Sequence, residues 1–220
     1  MVYIARRVAP TPLAPTDPGY SAVPDRRPQV LFSDWTPRNL SAHEENVEVY
    51  SNCDEVELFL NGVSLGARSR PADDAPRVWK VQFAPGVLKA VGKNKGRQVA
   101  TYLVRTAGAP ARVVLSADRK SVTENWDDVV HVTATVMDAK GVVVPTASDL
   151  ITFRVTGPGV VAAVDSGDNR SHEPFQASER KAYQGRSFAM LKATAGHGRI
   201  TLVASAAGLK SGTVAIVTLD

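Results

Sequence analysis

Apolar residues recur at every second position along most of this 220-residue chain. That period is the repeat of a half-buried β-strand. Asn46-Val-Glu-Val-Tyr50 alternates, and Glu55-Val-Glu-Leu-Phe-Leu60 places Val56, Leu58 and Leu60 on one face with Glu55, Glu57 and Phe59 on the other. Asn61-Gly62 follows directly. A two-residue hairpin loop of type I′ needs φ > 0 at both central positions, and Asn-Gly supplies both. The return strand is Val63–Ala67, followed by Val78–Phe83, Val87–Val91 and Gln98–Val104. Trp79, Val81 and Phe83 share a face and are read as core. No window carries a sustained apolar stripe of helical period.

Ala107-Gly-Ala-Pro110 punctuates the pattern and marks a boundary. A second set of strands begins at Arg112–Leu115. Val130, Val132, Ala134 and Val136 form the inward face of the next strand, with His131, Thr133 and Thr135 outward. Ile151, Phe153 and Val155 alternate before Gly157-Pro158-Gly159, and strands at 186–193, 199–205 and 213–219 complete the set. About one residue in seven is valine, whose stiff branched side chain suits a pleated sheet. The expected fold is all-β, as two tandem immunoglobulin-like antiparallel β-sandwiches of about 70–110 residues each. Their expected spans are 38–108 and 109–220.

Residues 1–37 read differently. They hold seven of the 14 prolines, and proline fixes φ and removes an amide donor. This stretch is expected to be an arm or linker. Arg6 and Arg7 interrupt the apolar run that a secretory signal would need, so no signal is read there. Charge is spread evenly, with 14 basic and 11 acidic side chains in residues 1–110 and 12 and 11 in 111–220. Neither half has the basic excess of a nucleic-acid binder, and no apolar run is long enough to span a bilayer as a helix. One cysteine excludes an intramolecular disulfide framework.

Chemistry-bearing motifs are few. Phosphate-binding, dinucleotide-binding, zinc-protease and nucleophile-elbow patterns are absent, and no cofactor is implied. His43, His131, His172 and His197 are scattered. Cys53, between two strands, reads as a small buried residue. Glu44-Glu45, Asp73-Asp74 and Asp127-Asp128 read as solvated loop charge. Asp165-Ser-Gly-Asp168-Asn169 can build an Asx turn or offer oxygens to a hard cation. The turn is favoured, with Asp165 and Asp168 as weak metal candidates. Trp126 sits among polar residues in Thr-Glu-Asn-Trp-Asp-Asp. An exposed Trp can stack on the C–H face of a sugar ring; packing over a sandwich edge is the competing reading.

The segment Ser51-Asn-Cys-Asp-Glu-Val-Glu-Leu-Phe-Leu-Asn-Gly-Val-Ser-Leu-Gly66, with Val47-Glu-Val-Tyr50 before it, resembles part of the C-terminal region of glycoside hydrolase family 2, especially its bacterial β-galactosidases. Val78–Phe83, Ala84-Pro-Gly86 and Leu88-Lys-Ala-Val-Gly92 resemble the same module. Val164-Asp-Ser-Gly-Asp168, Phe175, Arg180-Lys-Ala-Tyr-Gln-Gly-Arg186 and Ile200–Leu209 resemble the last immunoglobulin-like domain of those enzymes. Ser33-Asp-Trp35 lies where relatives carry a short aromatic stretch. The resemblance implies a non-catalytic accessory role, because the family's two catalytic glutamates lie in a (β/α)₈ barrel. This chain has no βα alternation and no room for about 250 barrel residues. No residue here is assigned a catalytic role. The implied partner is that barrel, with oligomer contacts also open, and the implied compartment is periplasmic or extracellular. A carbohydrate-binding module using Trp126 or Trp35 is the alternative, and a spacer or adhesion domain a third.

Overall fold

In a computed structural model, residues 1–8 and 30–219 are described. The chain divides into two compact units, Met1–Thr106 and Ala107–Asp220. Every element among the described residues is a strand, and all pairings but one are antiparallel.

The first unit contains β1 (Val2–Val8), β2 (Val30–Phe32), β3 (Glu44–Ser51), β4 (Glu55–Leu60), β5 (Val63–Ser69), β6 (Arg77–Gln82), β7 (Val87–Asn94) and β8 (Arg97–Arg105). They form two four-stranded sheets, β2-β1-β3-β6 and β5-β4-β7-β8. Ile4, Val47, Val49, Val56, Leu58, Trp79, Val81, Phe83 and Leu88 fill the space between them. The alternation expected of 55–60 and 78–83 is what places these residues inward. Each large apolar side chain so buried contributes about 1.5–3 kcal/mol relative to exposure.

Asn61 and Gly62 have φ of 51° and 85°, so the two-residue turn forms where its sequence demands. Asn61 also reaches across to a second turn. Its Nδ2 donates to the Pro85 carbonyl at 3.0 Å, and its Oδ1 accepts from the Val87 amide at 2.8 Å. Gly86 is needed there, because a Cβ on it would lie 1.8 Å from Asn61 Oδ1. Cys53 is buried, and a Cβ on Gly92 would lie 2.6 Å from its Sγ. The thiol fills room that a glycine leaves.

The expected arm at 1–37 is corrected at both ends. Val2–Val8 is an interior strand, antiparallel to β3 from Val2↔Ser51 to Arg7↔Asn46 and to β2 from Arg6↔Phe32 to Val8↔Val30. The run Val2-Tyr-Ile-Ala5 has strand character, which the prolines beginning at Pro10 obscured. The rest of the proline-rich stretch, 9–29, lies outside the described residues. The unit boundary falls after Thr106, two residues before the expected one.

The second unit contains β9 (Pro110–Ala117), β10 (Ser121–Thr123), β11 (Val130–Asp138), β12 (Leu150–Thr156), β13 (Gly159–Asp165), β14 (Glu179–Lys181), β15 (Arg186–Ala193), β16 (Gly198–Ser205) and β17 (Gly212–Leu219). Its sheets are β13-β15-β11-β9 and β10-β17-β16-β12-β14, with β10 parallel to β17. Val130, Val132, Ala134, Val136, Ile151, Phe153, Leu191, Ile200, Leu202 and Ile216 form the core. Thr135, expected outward, is buried in the interior strand β11. Strands β10, β13 and β14 escape the alternation rule, since two are only three residues long and β13 is irregular between Val161 and Ala163.

Gly157 has φ +91°, and a Cβ there would lie 2.1 Å from the Arg199 carbonyl oxygen. Gly208, at φ +73°, faces open space. Gly157→Ala therefore costs about 2–3 kcal/mol, whereas Gly208→Ala costs only the strain of its backbone, about 1 kcal/mol. Urea unfolding of the two variants reads this difference; equal losses would refute the clash.

Candidate functional site

Three polar assemblies and two exposed aromatic residues carry the chemistry of the described surface. In the first unit, Arg6 donates from Nη2 to Asp34 Oδ1 at 3.0 Å and from Nη1 to Glu45 Oε1 at 3.2 Å. His43 joins this group, with Nδ1 2.7 Å from the Ser41 carbonyl and Nε2 2.8 Å from Glu45 Oε1. Both neighbours are acceptors, the Ser41 carbonyl foremost and then Glu45, so they favour the imidazolium and raise its pKa. Asp34 Oδ1 also accepts from the Thr36 amide at 2.8 Å. The group holds the chain on both sides of Trp35.

Trp35 was a sugar-contact candidate and is corrected. It is 0% exposed, its Nε1 donates to the Ala84 carbonyl at 3.0 Å, and its ring lies 5.1 Å from that of Phe83. It is a core residue with a satisfied indole N–H, so no ligand can reach it.

Trp126 is 83% exposed. It lies between β10 and β11, in a loop held by its neighbours. Asp128 Oδ2 accepts from the Thr123 amide and hydroxyl at 2.8 and 2.9 Å, and Oδ1 pairs with Arg119 at 2.6 Å. The Thr123 amide, then its hydroxyl, with help from Arg119, hold the Asp128 carboxyl below its ordinary pKa. Glu124 accepts from the Gly196 amide at 2.9 Å, and Lys192 Nζ donates to the Trp126 carbonyl. The backbone under the indole is tied down while the ring stands in solvent.

Asp165 and Asp168 form the expected turn. Asp165 Oδ1 accepts from the Ser166 and Gly167 amides at 2.6 and 3.2 Å, and Asp168 Oδ1 from the Arg170 amide at 3.1 Å. The loop that follows rests on Arg180, whose guanidinium is 1% exposed. It donates from Nη2 to Asp165 Oδ1 at 3.2 Å, from Nη1 to the Glu173 carbonyl at 2.7 Å and from Nε to Ser166 Oγ at 3.4 Å. Its Cζ also lies over the ring of Phe175 at 5.2 Å. Between a turn and a cation site, the turn is what these oxygens build. Among the described residues no three His, Cys, Asp or Glu side chains are grouped as a metal ion would require.

Sequence reading missed Arg180 as an anchor and Phe175 as an exposed ring. It also missed Asp138. Asp138 accepts from the Gly108 amide through Oδ2 at 2.8 Å, and from Lys140 and Val142 through Oδ1 at 2.9 and 2.8 Å. The Asp138-Ala-Lys-Gly141 spacing was the available signal, because an Asp ahead of a tight turn caps its amides. His131 is exposed and lies 3.3 Å from Asp118.

Among the described residues these paired strands and turn-bound carboxylates define a region of β-sandwich modules. Comparison with known proteins gives the family. The model of the glycoside hydrolase family 2 C-terminal domain 5 matches residues 113–215, and that of a domain family of unknown function matches 43–100. The chain belongs to the C-terminal region of glycoside hydrolase family 2. It is 36% identical over 183 residues to the beta-galactosidase BoGH2A of Bacteroides ovatus, covering 83% of this chain and 21% of that protein. A putative beta-glucuronidase of Formosa agariphila is 29% identical, over 67% of this chain and 15% of its own length. A solved family 2 glycosyl hydrolase from Bacteroides cellulosilyticus superposes with a TM-score of 0.85 at 31% identity, covering 100% of this chain and 28% of that one. The chain thus spans about a fifth of the length of the curated relatives it matches.

The Gly108 amide foremost, with those of Val142, Lys140 and Gly141, holds the Asp138 carboxyl below its ordinary pKa. An aspartate depressed by folding contributes stability above its unfolded pKa and loses it as pH falls through the folded value. Asp138→Asn, which sets an amide donor against donors, is therefore expected to cost about 1–2 kcal/mol at pH 7. That gap should close as the pH falls below the ordinary carboxylate range of about 4 and through the lower folded value. Chemical denaturation across this range checks it; a gap independent of pH would contradict the assignment.

Proposed function

We propose that this chain is a non-catalytic accessory region of a family 2 glycoside hydrolase. It packs on the (β/α)₈ barrel of that enzyme and shapes the rim of its active site. The observation that carries this reading is the joint one: an all-β fold, matched over residues 113–215 by a C-terminal family 2 domain. The parent chemistry is hydrolysis of a β-glycoside. A β-galactoside is the substrate we favour, because the relative at 36% identity is named a beta-galactosidase.

The disposition of the carboxylates supports the non-catalytic role. Retaining and inverting glycosidases both need two carboxyl groups facing across a sugar, one to protonate the leaving group and one to attack or activate water. Here Asp34 and Glu45 pair with Arg6, Glu48 with Arg7 and Tyr50, Asp128 caps Thr123, and Asp138 caps a turn. Each is engaged in holding its own loop or strand.

The exposure of Trp126 favours a second reading, in which the region itself contacts carbohydrate through this ring. Trp126→Ala should leave stability within about 0.5 kcal/mol, since the side chain is in solvent. It should weaken binding of a galacto-oligosaccharide by about 1 kcal/mol if the indole is a stacking platform. Calorimetric titration of wild type and variant checks this, and indistinguishable isotherms would remove Trp126 from any sugar contact.

The accessory reading is tested by assaying the purified 220-residue chain with p-nitrophenyl β-galactoside and β-glucuronide. No enzyme-dependent turnover is expected. Turnover abolished by substituting one of the chain's own carboxylates would overturn the proposal.

A further inference from the structure

We propose that His43 is a proton-operated clasp. As an imidazolium it donates from both ring nitrogens and fastens the connection before β3 to the buried group of Arg6, Asp34 and Glu45. Without its proton it must release one of the two contacts. This goes beyond the accessory role, because the device lies within the first unit and needs no barrel.

The geometry decides the protonation state. His43 Nδ1 lies 2.7 Å from the Ser41 carbonyl oxygen, and Nε2 lies 2.8 Å from Glu45 Oε1. Neither neighbour has a proton to give, since a carbonyl oxygen and a carboxylate only accept. A neutral imidazole carries one N–H, so it satisfies one of them and turns a lone pair on the other. Only the imidazolium serves both. The side chain is 28% exposed, so a proton can enter and leave without unfolding the unit.

The surrounding charges favour the same state. From β1, Arg6 reaches Glu45 Oε1 with Nη1 and Asp34 Oδ1 with Nη2, while Arg7 is paired with Glu48. From β3, Glu45 faces the ring, and Glu44 turns instead to Lys80 of β6 at 3.1 Å. Phe83, just after β6, brings no charge; its ring lies 5.4 Å from that of His43. Arg38, in the connection itself, is exposed. One guanidinium therefore meets two carboxylates among the described residues, and the imidazolium supplies the missing positive charge. Arg6 opposes it, but the Ser41 carbonyl and Glu45 outweigh that repulsion.

The clasp acts where the connection is otherwise held only locally. Asp34 Oδ1 accepts from the Thr36 amide at 2.8 Å, and Asn39 Oδ1 accepts from the Ser41 amide at 3.0 Å. Residues 38–42 between and beyond these bonds are exposed. The His43 ring links Ser41 to a side chain of β3, and the His43 carbonyl accepts from the Phe83 amide at 2.7 Å. Phe83 in turn packs on Trp35 at 5.1 Å, so the clasp sits beside the core. Acceptors at both nitrogens raise the folded-state pKa. The stability that the clasp contributes is thus complete below the unfolded value of about 6.5 and is lost as pH rises through the folded value.

The test is ring ¹⁵N NMR and amide hydrogen exchange of the 220-residue chain between about pH 5 and about pH 9. His43 is expected to titrate above the ordinary histidine value, with both ring nitrogens protonated on the acid side. Exchange of the Ser41 and Phe83 amides, corrected for its intrinsic pH dependence, should rise about tenfold through that titration. His43→Gln cannot gain a proton, so its two amides should exchange at the faster rate throughout, with no step. A His43 that titrates at or below the ordinary value would overturn the proposal. So would amides that ignore the titration, or a step that survives in His43→Gln. None of these results bears on turnover, so the accessory reading stands or falls by its own assay.

Discussion

A buried guanidinium must find acceptors for its N–H groups or lose several kcal/mol of solvation, and each unit of this chain is organised around one. In the first, Arg77 donates to the carbonyls of Arg68, Ser69, Ser51 and Cys53, at 3.1, 3.2, 3.1 and 2.6 Å. These lie near the ends of β3 and β5 and at the start of the β3–β4 connection, where ladder pairing runs out. Burial lowers its pKa, but from a value so high that it stays charged. In the second, Arg180 gathers Asp165, Ser166 and Glu173 in the same manner. A sandwich core fixes strands through apolar area, which has no direction. The arginines add direction at points where loops leave the sheets, and so decide which irregular backbone is held rigid.

That division explains how much could be read beforehand. Strands β4, β6 and β12 alternate because each has one more buried and one more solvated face, and the Asn61-Gly62 turn has a backbone requirement that few residue pairs meet. Strand β1 was illegible for the opposite reason. Its partner Val49 is 45 positions beyond Ile4, two arginines interrupt its pattern, and prolines follow. Arg6 is buried, and nothing near it in sequence shows this, because Asp34 and Glu45 meet it from distant positions. Trp35 looked like a surface ring for the same reason. Nothing local in Ser33-Asp-Trp35 shows that Asp34 will be pinned to β1 and the indole turned into the core.

The candidate site divides along the same line. Trp126 was legible, since a tryptophan amid Glu, Asn and two Asp residues has little apolar company in sequence, and it is the most exposed large apolar residue described. The Asp165–Asp168 turn was legible from composition. Phe175 and Arg180 were visible only as parts of a family resemblance. Their relation depends on β14, a three-residue strand with no readable period, whose pairing with β12 sets Arg180 opposite Ile151. From that register the guanidinium faces inward to the core side and reaches the β13–β14 loop.

The carboxylates are where fold and function meet. A sandwich can carry acid–base chemistry only if two carboxyl groups are left free to face a substrate, and free carboxylates near loops compete for the same amides that keep those loops shaped. For five of the described carboxylates the competition has gone to structure. Asp128, Asp138 and Asp165 each cap turn or strand amides, and Glu45 and Glu48 are bound to arginines in a β-sheet. Removing any of them from its local duty would loosen the loop or strand pair that it holds. A chain built this way can be rigid at its loops and can present rings such as Trp126 and Phe175 at fixed positions. Rigid presentation is what a module needs to shape the edge of another domain's cleft or to hold a sugar beside it.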